Sequence, residues 1–196
     1  AKATGSGANT SDLILEWKGI STALTLGVHL QSPVNVEAKW YKNDVLITSA
    51  GCAGGTISGV TNAQVSCVLP TSPVSISTDT YRLVVSSVSG QTGSIAGLGH
   101  STRMIMGAEY MSDVKSFGNF GINSLSNAFT KTPASFQVTA TLPASVTDLS
   151  NAFYQSSANP ALSGWNTSSV TSMSNMFYQA TNFNQDISGW NTSQVT

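Results

Sequence analysis

His29 and His100 are the only imidazoles in the chain and stand 71 residues apart. Neither has a His-x-x-x-His, Cys-x-x-Cys or Glu-x-x-His partner nearby, so the ligand spacing of a zinc site is missing and no metal is expected. His29 falls in an apolar β run and reads as a strand residue, while His100, in Gly97-Leu98-Gly99-His100, reads as part of an interdomain joint. The glycines of Gly90-Gln91-Thr92-Gly93-Ser94 lack the Gly-Lys-Ser/Thr ending of a phosphate loop, and no Gly-x-Ser-x-Gly elbow accompanies a histidine. From Ser116 onward only Lys131, Asp148 and Asp186 carry charge, too few for the two converging groups that acid-base catalysis requires. No catalytic residue and no cofactor is expected, and the chain reads as a non-enzyme.

Other polar groups have a structural reading beside a functional one. Asp186, in Asn184-Gln185-Asp186, has oxygens for a cation, but Asn and Asp at such corners more often bond the turn backbone. Cys52 and Cys67 are 15 apart inside the β-patterned part, which suits a hairpin or sheet-to-sheet disulfide. Two buried thiols remain the other reading, because one pair is far from a disulfide-dense scaffold. Asn9, Asn166 and Asn191 each open an Asn-Thr-Ser acceptor for N-glycosylation; the same residues can instead satisfy backbone groups between coils of a repeat.

The elements that would position these groups follow from composition and pattern. Hydrophobic residues make up 40% of the 196, enough to bury a core in one large or two small domains. Charged residues are only 9%, whereas Ser and Thr number 53, so solubility rests on hydroxyls and amides, a balance suited to an outer surface. Eight basic against nine acidic residues leave no basic stripe for nucleic acid or anionic lipid. No apolar run is long enough to span a membrane, and residues 1–11 lack the regions of a signal peptide, as expected of a chain whose leader is cleaved or never existed.

Residues 1–11 read as an extension. Residues 12–90 carry short runs rich in Val, Ile, Leu and Thr, separated by turn signals such as Lys42-Asn43-Asp44, the rhythm of a β-sandwich. Val34, Val36, Ala38 and Trp40 alternate with Asn35, Glu37 and Lys39, which puts Trp40 in the core. Residues 91–114 read as connection. In residues 115–196 the chain repeats itself: 146–155 matches 170–179 at seven of ten positions, and 163–171 matches 188–196 at eight of nine, with a degenerate earlier copy around Phe129. A period of 24 to 25 residues with fixed apolar positions predicts a leucine-rich-repeat-like α/β solenoid, each unit burying its apolar face against the next. Its core would include Phe129, Phe153, Trp165, Val170, Met173, Phe177, Phe183, Ile187 and Trp190. A short strand is expected over 167–171 and a helical turn over 174–179, capped by Ser172 or Ser174.

Met173-Ser174-Asn175-Met176-Phe177, Ala180, Phe183-Asn184-Gln185-Asp186-Ile187-Ser188-Gly189-Trp190-Asn191-Thr192-Ser193 and Val195-Thr196 resemble the repeat of BspA-like surface proteins. Lys39-Trp40-Tyr41 with the later Tyr81-Arg82-Leu83 resembles the central strands of immunoglobulin-like and PKD-like sandwiches. The first resemblance implies extracellular display on a cell or virion surface, with adhesion to, or recognition of, a protein or glycan on a host or neighbouring surface. The competing expectation is a virion fibre, decoration or filament subunit, self-associating so that a neighbour covers the open solenoid end. A third, glycan stacking on Trp17, Trp40, Trp165 and Trp190, is weaker because Trp165 and Trp190 recur with the repeat, as core residues do. Nucleic-acid binding and direct membrane insertion are not expected.

Overall fold

A computed structural model describes residues 11–20, 25–31, 34–48, 51–52, 55–60, 63–69, 78–88, 95, 97–98 and 105–196. Alternation of apolar and polar residues builds the main sheet. In β1 (Leu13–Lys18) the side chains of Leu13, Leu15 and Trp17 face the core; β7 (Thr80–Ser87) contributes Tyr81, Leu83 and Val85, and β3 (Val34–Lys42) contributes Val36, Ala38 and Trp40. Trp17 and Trp40 are both fully buried, with ring centroids 5.4 Å apart.

Together with β4 (Val45–Leu46), β5 (Gly55–Val60), β9 (Met111–Phe117) and β10 (Gln137–Val138), these strands form a seven-stranded sheet ordered β10-β9-β1-β7-β3-β4, with β5 also on β3. Most pairs are antiparallel, but β10 runs parallel to β9, so the sheet is mixed. A three-stranded sheet, β6-β2-β8, comprises β2 (Thr25–Gln31), β6 (Ala63–Val68) and β8 (Gly97–Leu98). Leu26, Val28 and Leu30 of β2 join Val65 and Cys67 of β6 in the same hydrophobic core as Trp17 and Trp40. Asn43 and Asp44, at φ 49° and 64°, close the β3–β4 hairpin with the double left-handed turn that matches strand twist.

β9 lies beside β1, and the core runs without a break from Leu13 to Trp190. Gly118 turns the chain out of β9 at φ 68°, where a Cβ would stand 2.8 Å from the Leu13 backbone nitrogen.

This architecture overturns the expected β-sandwich followed by an α/β leucine-rich-repeat solenoid. The described residues form a mostly-β domain with a mixed sheet and contain no α-helix; the short 3-10 turn Ala108–Tyr110 is their only helical piece. Residues 174–179 are consecutive turns, and the expected strand over 167–171 is irregular, with one isolated bridge at Ser172. The physical reason lies in the backbone of Asn175 and Gln179, at φ 54° and 55°. A left-handed residue every fourth position prevents α-helical bonding, so Ser172 and Ser174 have no helix to cap.

Candidate functional site

Each repeat forms one rung, and the rungs lie on one another at the sequence offset. Parallel bridges join Gly97 to Ser124, Ser124 to Asp148 and Asp148 to Ser172. Within a rung, turn bonds such as Met176 N–H to the Met173 carbonyl (3.1 Å) and Tyr178 N–H to the Asn175 carbonyl (3.0 Å) curl the chain. The left-handed positions recur as Asn127, Asn151 and Asn175, and as Lys131, Gln155 and Gln179. Alternate amides are thereby turned out of the rung toward the next one. Leu149, Asn151, Phe153 and Gln155 donate to the carbonyls of Ser172, Ser174, Met176 and Tyr178 at 2.8–2.9 Å. Leu125, Asn127, Phe129 and Lys131 bond in the same register to the rung of Asp148, Ser150, Ala152 and Tyr154.

Aromatic ladders fill the interior. Phe153 lies 5.3 Å from Phe129 and 5.6 Å from Phe177, and Trp165 stacks on Trp190 at 6.4 Å. Phe129, Phe153, Trp165, Val170 and Trp190 are buried. Met173, Phe177, Phe183 and Ile187 are half-buried and pack against the core from the last rung. There a groove of about 310 Å³ opens, lined by Met173, Met176, Phe177, Ile187 and Trp190 with polar neighbours that include Asn175, Tyr178 and Thr192. The repeat pattern names Met173, Phe177, Ile187 and Trp190 all as core residues, but a 24-residue period says which residues stack and not which of them line a groove.

On the outside, Tyr154 and Tyr178 stack with centroids 5.2 Å apart and planes at 12°, and Gln155 Nε2 donates to Gln179 Oε1 at 2.7 Å. Tyr178 is half exposed. Deeper in, Thr132 and Ser156 hydroxyls meet at 2.6 Å, one rung apart and buried.

Cys52 and Cys67 are joined by a disulfide. Asn166 and Asn191 are exposed, and their side-chain oxygens accept from the backbone N–H of Ser168 (3.1 Å) and Ser193 (2.9 Å). Thr167 is buried and donates to the Asn191 carbonyl, so this acceptor triplet is built into the packing between rungs. Asp186 accepts from the Ser188 N–H at 2.9 Å, and that bond, with help from the Ser188 hydroxyl, holds its carboxyl below the usual range. Asn9, His100 and the glycines at 90–94 lie outside the described residues, as does the side chain of His29.

Sequence reading also missed a charged cluster on the main sheet. Register sets Glu16 beside Arg82 and Asp113. Arg82 bonds Glu16 at 2.7 Å and Asp44 at 2.6 Å, while Lys115 meets Asp113 at 2.5 Å. Burial pulls the Arg82 guanidinium down, but the Glu16 and Asp44 contacts outweigh it and the net shift is upward. The lone Glu16 in Leu13-Ile14-Leu15-Glu16-Trp17 was the available signal, an acid inside an apolar strand. Asp113 is further tied to the Thr139 backbone N–H and hydroxyl at 3.0 and 3.1 Å, so the cluster spans β1, β7 and β9 and reaches the residue after β10. Every charge in it has an opposite partner, with the carboxylates of Glu16, Asp44 and Asp113 shared between Arg82 and Lys115.

Among the described residues no group of three or more His, Cys, Asp or Glu side chains could hold a metal ion, and no helix is long and apolar enough to cross a membrane. No curated protein and no solved structure matches the chain. Residues 108–196, which carry β9 and β10 of the main sheet together with the rungs, match a family described as "Mycoplasma protein of unknown function, DUF285".

Proposed function

We propose that the chain is a non-enzymatic display protein of a cell or virion surface, acting outside the cell and recognising or adhering to a partner protein or glycan through the outward edge of its rungs. The observation that carries this reading is the repeated Tyr-Gln edge. Tyr154 and Tyr178 present stacked rings, and Gln155 and Gln179 present bonded amides, at the same place on successive rungs. Aromatic side chains with few rotatable bonds give contact area at low entropic cost, and adjoining amides add directional bonds, which is the composition of a recognition surface. The charged groups near the sheet are spent on one another, and the resemblance of the repeat phrase to BspA-like surface proteins supports the same direction.

The test is a binding screen of the folded chain against immobilised glycans and matrix proteins, repeated with Tyr154→Ser/Tyr178→Ser. Loss of a detected interaction with an unchanged circular dichroism spectrum supports the reading. Binding that survives the double substitution removes this edge from it.

A further inference from the structure

One column of the outer edge changes its chemistry along the stack. Lys131, Gln155 and Gln179 stand at the same left-handed position of successive rungs, at φ 57°, 55° and 55°. The Lys131 and Gln155 amides donate to the Tyr154 and Tyr178 carbonyls of the following rung at 3.1 and 2.8 Å. The three side chains therefore leave the backbone at equivalent points, about 5 Å apart, the spacing of hydrogen-bonded neighbours. Beside them run Thr130, Tyr154 and Tyr178, of which Thr130 is buried. The Tyr-Gln edge thus continues past Gln155 onto an ammonium group.

Lys131 is the sole cation of residues 116–196. It is exposed and joins none of the ion pairs among the described residues. The two acids of the same stretch are engaged by other groups, Asp148 by the Ser124 hydroxyl (3.1 Å) and the Ser150 N–H (2.8 Å), Asp186 by the Ser188 N–H (2.9 Å). The aromatic column agrees with the charge. Tyr154 and Tyr178 cover each other's faces, with centroids 5.2 Å apart and planes at 12°, so ring rims and phenol groups turn outward. The rim is the positive part of the aromatic quadrupole. Gln155, whose Nε2 donates to Gln179, keeps its Oε1 for a hydroxyl donor. A cation, positive rims and phenol donors suit a ligand that is rich in oxygen and carries an acid.

Spacing separates the classes of partner. Along an extended peptide, side chains on one face recur about every 6.6 Å, out of step with rings 5.2 Å apart. A pyranose unit of an extended β-linked glycan is close in length to one rung, so successive sugars meet successive rungs. We infer that the edge formed by Lys131, Tyr154 and Gln155 binds an acidic glycan, a linear β-linked chain containing uronic acid. Its carboxylate sits on the Lys131 ammonium, and its hydroxyls and ring oxygens meet the Tyr154 phenol and the Gln155 amide. This rests on the reading of the Tyr-Gln edge as a recognition surface and names the class of its ligand. Lys131 and Gln155 both lie against a following rung, so the site is complete within the stack.

The experiment is an NMR titration of the folded 196-residue chain. The probe is a tetrasaccharide of alternating β-linked glucuronate and N-acetylglucosamine, and the control is the same tetrasaccharide with its carboxylates reduced to alcohols. Shifts should gather on Lys131, Tyr154 and Gln155, and the acidic probe should bind about three- to fivefold more tightly than the control, the effect of one exposed charge pair. Lys131→Gln should erase that preference, as should about 1 M salt. The substitution suits the fold, because Gln occupies the same left-handed position in the next two rungs. Equal affinities, or a preference that survives Lys131→Gln in a chain with an unchanged circular dichroism spectrum, overturn the acidic glycan and leave the edge a recognition surface. No glycan binding, or shifts confined to other residues, also overturns it. The reading of the edge then stands only on a partner protein whose binding Tyr154→Ser/Tyr178→Ser abolishes, and falls if the screen finds none.

Discussion

Trp190 donates its indole N–H to the Leu162 carbonyl at 3.1 Å, whereas Trp165, stacked one rung earlier with its plane 9° away, has its indole nitrogen buried with no partner among the described residues. Two residues that are equivalent in sequence are therefore unequal in energy. Trp190→Phe should cost about 1 kcal/mol, since the Leu162 carbonyl loses one of its two bonds and keeps the one from the Trp165 backbone N–H, while Trp165→Phe removes an unsatisfied donor and should cost less. Urea unfolding of the two variants checks the order, and a larger loss in Trp165→Phe would contradict it.

Phe153 is the middle ring of the Phe129–Phe153–Phe177 ladder and is 1% exposed. Phe153→Ala should lose about 3–5 kcal/mol through the cavity it opens. Phe177→Ala, at the open groove, should lose less because that site is already partly wet. The comparison is read from denaturant midpoints at constant slope.

How much of this was legible can be seen at Phe153 and Asn151. The offset that placed Phe153 above Phe129 and below Phe177 was visible as self-similarity, and so were the partners Trp165 and Trp190. The conformation of the rung was not. Spacings such as Met173, Met176 and Phe177 are shared by a helix and by a chain of tight turns, and only the left-handed φ at Asn151 or Asn175 separates them. Glu16 is marked locally as an acid inside an apolar strand, but its partners Arg82 and Asp113 depend on strand register, which follows from long-range pairing.

Asn151 offers a direct check of the rung backbone. At φ 56° an Asn is tolerated, a Gly is relaxed and an Ala is strained. Asn151→Gly should leave stability nearly unchanged, and Asn151→Ala should lower it by about 1–2 kcal/mol. Equal stability of the two variants would mean that residue 151 is not left-handed in solution.

Cys52 and Cys67 close a loop of 15 residues between the edge of the main sheet and β6. Constraining a loop of that length in the unfolded chain contributes about 3 kcal/mol. Reduction, or Cys52→Ser/Cys67→Ser, should lower the melting temperature accordingly, and the loss should fall on the strands, with the Trp165–Trp190 stack the last to melt if the rungs hold together without the loop.

Acid and alkali should each remove one arm of the Lys42–Asp79 pair, whose charged atoms stand 2.8 Å apart. The Lys42 ammonium, and then the Asn43 amide, hold the Asp79 carboxyl below its ordinary 3.8. A depressed acid stabilises the fold above its unfolded value, and the contribution disappears as pH falls through the lower folded one, so the loss lies below pH 3.8. Lys42 is raised above 10.5, chiefly by its bond to Asp79. Its contribution is complete below that value and is lost as pH rises through the higher folded one. Both groups are near solvent, so each effect is small and salt-sensitive. Melting temperature against pH should fall less at both extremes for Asp79→Asn than for the parent chain, and carboxyl NMR should show Asp79 titrating below 3.8. An Asp79 that titrates at or above 3.8 would dismiss the pair as a feature of the folded protein in solution.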